Sequence, residues 1–200
     1  MAGVRERLVF DGEAGTVCDG PRRYLLMRPD VLMGMFARLD PQARVAALHA
    51  FSASAEQHGG DSLAAYFGSV GDDGDALLDA TAAAAADLGW GRWSFARDGD
   101  RLRLVVTDSP FANGLVTASG SAAQEPVCAP ICGLLSAAAR LVLGGGAAGD
   151  AARGAIDARE LTCAARGAVR CEFVASRRGP EATPSPRAPE AMPLSRAPEA

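Results

Sequence analysis

Five residues in the second half of this chain have the types and spacing to meet at a metal ion. Cys128 and Cys132 stand at the head of an apolar, helix-spaced run, and Glu160, Cys163 and Cys171 follow on what reads as a closing hairpin. Thiolates and carboxylates are zinc ligands, and four of them in a tetrahedral array saturate the ion, leaving no position for water or substrate. The spacing sets one geometric condition. In a regular strand Glu160 and Cys163 have opposite parity and point to opposite faces. A shared metal therefore requires a bulge, or a strand that ends before Cys163. The alternative is a set of buried, unligated cysteines, because a free cysteine packs as a small hydrophobe.

Other chemistry-bearing residues offer less. His49 and His58 lie nine residues apart on one predicted helix, which puts them on opposite faces and keeps them from sharing a metal. The string GGGAAG at Gly144 to Gly149 fits G-x-G-x-x-G, but it follows a helical run and leads into no clear helix, so it lacks the strand-to-helix context of a dinucleotide loop. Ser109-Pro110 has no assignable base and reads as a turn into a loop. With Cys18 the cysteines number five, an odd count that does not suggest a disulfide framework.

The elements that must position these residues follow from periodicity. An extended run at Arg23 to Met27 precedes a helix opened by Pro29, with Val31, Leu32, Met35, Phe36 and Leu39 as its expected core stripe. Asp40-Pro41 is an N-cap and first-turn pair for a second helix through Val45, Leu48, Phe51 and Ala55, expected to close at Gly59-Gly60. A short helix over Ser62 to Phe67 comes next. Another is capped by the acidic stretch before Leu77, Leu78, Ala82, Ala85 and Leu88. Trp93 and Phe95 alternate on one strand and Leu102, Leu104 and Val106 on the next, around a turn at Asp98-Gly99. A loop from Ser109 to Pro126 leads to a helix over Val127 to Leu143, and a hairpin of Ala155 to Cys163 and Ala168 to Ala175 ends the pattern. The order predicts an α+β fold, helices on one face of an antiparallel sheet.

Composition bounds the rest. Two hundred residues, 48% hydrophobic and 22% charged, with a mean hydropathy of +0.06, suit one soluble domain with a sizeable core. The net charge of −4 lacks the basic excess that tracking phosphates needs, so nucleic acid is not an expected partner. No run approaches the roughly 18 to 20 apolar residues of a membrane helix, and the charged N-terminus lacks a signal peptide's apolar core. No membrane association and a cytoplasmic location are the expectations. From about Arg177 the chain turns to Pro and Ala, with RAPEA twice, and a disordered tail over 177–200 is expected.

Five stretches together bring a family into view: RYLLMRPDVL from Arg23, LGWGRW from Leu88, TDSPFA from Thr107, PVC at Pro126 to Cys128, and ELTCAARGAVRCEF from Glu160. Over about Gly15 to Ala175 the chain resembles the vinyl-4-reductase domain family, which includes the sensor modules of phenol- and aromatic-responsive activators. The resemblance implies a small-molecule-binding domain over 15–176, preceded by a lead over 1–14. It also implies a zinc ion held by Cys128, Glu160, Cys163 and Cys171, with Cys132 as the extra thiol, and Gly133 and Gly144 match glycines of the helix that follows. Two departures stand out. The segment between Gly144 and Glu160 is longer than the family's. The stretches around Asp79 and Val106 supply neither the histidine nor the tryptophan of the phenol sensors' pocket, so phenol itself is not carried over.

These observations give the functional expectation of a zinc-containing, non-catalytic sensor or carrier of an apolar or aromatic small molecule, a hydrocarbon-like ligand. Trp93, Phe95, Leu78 and Leu135 are expected to line its cavity, since aromatic side chains there face helices poor in large ones. No flavin or nicotinamide fingerprint is present to supply a hydride. An accessory protein of chlorophyll or bacteriochlorophyll biosynthesis, associated with 4-vinyl reduction, is the alternative, and an assembly subunit without a ligand is the third. A homodimer or a regulatory partner protein would receive the signal of a sensor.

Overall fold

The computed structural model describes residues 3–70, 73–144 and 156–177. It is built on a four-stranded antiparallel sheet in the order β4-β5-β7-β6, formed by β4 (Arg92–Asp98), β5 (Arg101–Thr107), β6 (Ile156–Thr162) and β7 (Cys171–Arg177). The alternation read in the sequence sets its inner face. Leu102, Leu104 and Val106 of β5 pair with Ala175, Phe173 and Cys171 of β7, and all six are buried. The α+β architecture is as expected. Against that face lies α7 (Ala129–Gly144), whose Ile131, Leu135, Ala138 and Ala139 are fully buried. Its small alanines let the helix axis come close to the sheet. Pro130 sits in the first turn, where its missing N–H costs nothing.

The other helices wrap this pair. α2 (Pro29–Ala37) packs on α6 (Pro110–Ser119), and α5 (Gly74–Asp87) covers β4. α3 (Pro41–Ser54) starts as predicted, with the Asp40 carboxylate accepting from the Ala43 amide at 3.0 Å. Arg44, one turn in, donates to the carbonyls of Phe36, Ala37 and Leu39, and so closes the C-terminus of α2. Phe36 stacks on Phe51, and Phe111 meets both Phe51 and Trp90 edge-on, so a row of rings joins α2, α3 and α6 to the sheet.

Four sequence expectations are corrected. On α2 Val31 and Met35 are exposed, and the buried residues are Met33, Gly34 and Phe36, because the helix turns its inner face to α6. On α3 Val45 is likewise exposed. Gly59-Gly60 does not end the second helix. A π turn (Ala55–Gly59) carries it into α4 (Gly60–Val70), and the two glycines lie under Leu134 and Ala137 of α7. They allow close helix approach where the sequence suggests a stop. The expected loop over 109–126 contains α6, capped by the Ser109 hydroxyl, which accepts from the Ala112 amide.

Residues 4–11, read as part of a lead, form α1 (Val4–Arg7) and β1 (Val9–Asp11). With β2 (Thr16–Asp19) and β3 (Arg22–Tyr24), β1 makes a three-stranded antiparallel meander. Val4 is buried and the Arg5 amide donates to Asp87 of α5, so this end of the chain docks on the domain. The extended run expected to reach Met27 stops pairing at Tyr24. The Pro/Ala tail and the segment over 145–155 lie outside the described residues. Among those described, no helix is long and apolar enough to cross a membrane.

Candidate metal centre

Three separate pieces of chain bring the four predicted donors together. Cys128 lies just before α7, where its carbonyl accepts from the Ile131 amide at 2.9 Å. Glu160 is on β6, Cys171 opens β7, and Cys163 sits between them at the start of a 3-10 turn (Ala164–Arg166). One ligand atom from each, the three sulfurs and a Glu160 oxygen, all lie within 4.8 Å of one another.

The parity problem is solved by a bulge. Glu160 pairs with Phe173 and Thr162 with Glu172, so β6 advances two residues while β7 advances one. The additional residue is Leu161, whose side chain is exposed. Past it the pleat is shifted by one, and Cys163 returns to the inner face that Glu160 and Cys171 already share. Gly167, in the left-handed region at φ 92°, then turns the chain back toward β7.

The donors fit a cation on three counts. The Cys128 and Cys171 sulfurs are 3.6 Å apart, close to the separation of about 3.8 Å that tetrahedral bonds of about 2.3 Å impose. Glu160 Oε2 accepts from the Cys128 amide at 3.0 Å, whereas Oε1 is buried with no hydrogen-bond partner. A buried carboxylate oxygen without a partner carries a large desolvation cost that a metal ion would remove. The sulfurs are also held from outside the set. The Ala164 amide donates to Cys171 Sγ at 3.2 Å, and the Ser109 hydroxyl lies 3.2 Å from Cys128 Sγ.

Electrostatics point the same way. Without a counter-ion the site cannot carry its full negative charge. Hydrogen bonding with Cys163 and Cys171, followed by burial, raises the Cys128 thiol well above its ordinary range. Burial first, and then the charge of Cys163, pushes the Glu160 carboxyl up to about 8. Cys171, accepting hydrogen bonds from Cys128 and Cys163, is held down to about 4. One thiolate is thus stabilised while Cys128 and Glu160 are held toward their protonated forms, an arrangement that a divalent cation would convert to a fully ionised set.

Cys132 lies one helical turn beyond Cys128 but outside this set; burial, then the charge of Glu160, pushes its thiol up to about 12. Cys132→Ser is expected to retain the metal and nearly all the stability, which metal analysis and a melting curve of the variant check. A variant that loses its metal would displace Cys128 from the assignment. Ser109 is the residue that sequence reasoning missed. It caps α6 and approaches the Cys128 sulfur, and its signal was Ser-Pro as a cap and first-turn pair, the same pair type as Asp40-Pro41.

The predicted ligand-site residues divide. Trp93, Phe95 and Leu78 line one cleft of about 420 Å³ between α5 and β4, together with Asp75, Asp79 and Ala82. Leu135, on the buried face of α7, is fully buried and does not line it. A wider cleft of about 640 Å³ opens beside the metal centre, between α3, the residues leading into α7, and β6.

With this geometry in place, the fold can be compared with known structures. The chain is similar to the phenol-responsive sensory domain of the transcription activator PoxR, solved with phenol. The TM-score is 0.69 and the identity 20%, over 87% of this chain and 86% of that one. The likeness is one of fold. Two further structures are similar at lower scores. One is a vinyl-4-reductase family protein from Methanocaldococcus jannaschii, with a TM-score of 0.41 and 12% identity over 78% of this chain and 98% of that one. The other is a trafficking protein particle complex subunit 3 from Naegleria fowleri covalently bound to palmitic acid, with a TM-score of 0.44 and 12% identity over 76% and 95%. The resemblance to the activators' sensor domain read in the sequence recurs in the first of these structures. No family model matches the chain, and no curated protein matches it.

Proposed function

We propose that the chain is a zinc-stabilised module that binds an apolar or aromatic small molecule and catalyses nothing itself. The observation that carries the reading is the closed donor set of Cys128, Glu160, Cys163 and Cys171 on a fold shared with a sensory domain. Three cysteines and a glutamate saturate a tetrahedral ion, so the zinc holds the head of α7 to the last hairpin and activates no water. Zinc is the metal that suits a thiolate-rich tetrahedral set without redox chemistry. The ligand would sit in the cleft walled by Trp93, Phe95 and Leu78, and its arrival would be read out by a second copy of the chain or a regulatory protein, both within the cytoplasm.

Binding stabilises the folded state by mass action, so a thermal-shift screen tests the reading. Simple aromatics are expected to raise Tm by several degrees when present at about a hundredfold excess over Kd, a stabilisation of about 2.7 kcal/mol. Phe95→Ala should weaken that response. Stabilisation by porphyrin precursors alone would replace the sensor with the chlorophyll-pathway accessory, and a flat response to both classes would overturn ligand binding in this cleft.

A further inference from the structure

The 640 Å³ cleft beside the metal centre has the size of a small-molecule site and two kinds of wall. Its apolar surface comes from Val45 and Leu48 of α3, Val127 and Ala129 at the head of α7, and Ala158 of β6. Its lining also carries three basic residues and two acidic ones. His49 on α3 and Arg159 on β6 are exposed and make no ion pair or side-chain hydrogen bond among the described residues. Arg44 adds a third basic group. Its guanidinium is spent on the carbonyls at the end of α2 and just beyond, which fix it in place, and no carboxylate among the described residues pairs with it. Against these stand Glu125 at the rim and Glu160, whose Oε2 accepts the Cys128 amide in the metal cluster.

We propose that this cleft binds a small organic anion with an apolar body, a carboxylate whose charge is met by Arg159 and His49 and whose apolar part lies on Val45, Leu48 and Ala158. A guanidinium offers a carboxylate two parallel hydrogen bonds in its own plane, and such charge-assisted bonds are about twice as strong as neutral ones. The apolar wall selects against small inorganic anions, because only a ligand with a hydrocarbon part gains from covering it. The basic rim selects against neutral and cationic ligands of the same shape. The site stands apart from the cleft at Trp93 and does not depend on what that cleft holds.

The test is a titration of the full chain, as purified, followed by backbone amide NMR. The probes are octanoate, octanol and octylamine, which share one chain length and differ in charge. Octanoate is expected to saturate one site, shifting amides over Val45 to Ser52 and Ala158 to Glu160, with an affinity about tenfold above that of octanol. Octylamine should not compete. Arg159→Gln should bring octanoate down to the level of octanol, and Val45→Trp should block both. The side chains of both residues are exposed, so neither substitution removes core packing. Equal affinity for octanoate and octanol, shifts confined to residues 75–97, or no shift at millimolar octanoate would each overturn the proposal.

Discussion

On the proposed zinc reading, Cys171→Ser should lose the metal and about 3 kcal/mol or more of stability, a fall in Tm of roughly 6–12 °C for a domain of this size. Cys171 Sγ takes the Ala164 amide and lies against Cys128 Sγ, so the substitution removes the donor that ties β7 both to the turn before it and to the head of α7. A serine oxygen is a poorer, shorter donor and would leave Glu160 Oε1 buried without a partner. Stripping the wild-type chain with a chelator should reproduce the fall, and returning zinc should reverse it. Metal analysis alongside thermal denaturation checks this, and a metal-free protein with unchanged Tm would remove zinc from the account. The pH dependence has a definite sign. Glu160 holds its proton up to about 8 and Cys128 well beyond. Metal uptake must expel these protons, so apparent affinity rises with pH and acid releases the ion. In the metal-free chain the raised Glu160 favours the fold at low pH, and that contribution is lost as pH climbs from its ordinary 4.5 through about 8.

Gly133→Ala should destabilise the chain by about 3 kcal/mol, against its helix propensity, which alone would favour alanine by about 1 kcal/mol. A Cβ at Gly133 would be driven into the Ser52 carbonyl oxygen and would stand 2.9 Å from the Glu56 amide nitrogen. These are backbone atoms of α3 and of the π turn, which no side-chain rotation can move aside. The comparison is Gly144→Ala at the end of the same helix, where an added Cβ meets nothing within 4 Å among the described residues and little or no loss is expected. Denaturant unfolding of the two variants measures the contrast. Equal stabilities would show that α7 can back away from α3 at small cost.

How far the sequence carried depended on whether a property was local. The hairpin of β4 and β5 and the Asp40 cap were legible because alternation and capping act within a few residues. The four donors were legible as a set only with the family resemblance, since spacing alone left Cys128 and Cys132 equivalent and the bulge at Leu161 a bare requirement. What was misread depends on packing partners far along the chain. The inner face of α2 is chosen by α6, and Gly59-Gly60 serves the crossing of α7 where local rules read a helix stop. The cleft at Trp93 was half legible. Parity placed Phe95 and Trp93 on one face, but no periodicity could show that Leu135 would face the buried side of α7.

The strand order has a kinetic consequence. β7 is the last strand of the described chain, yet it lies between β5 and β6, pairing with both. Until it arrives, β5 presents an unpaired edge with Leu102, Leu104 and Val106 beside it, the kind of edge on which other chains add. The sheet can close only through pairings that span some seventy residues of chain, for example Leu104 with Phe173. Contacts of such long sequence separation slow folding and lengthen the time during which a nascent chain can aggregate.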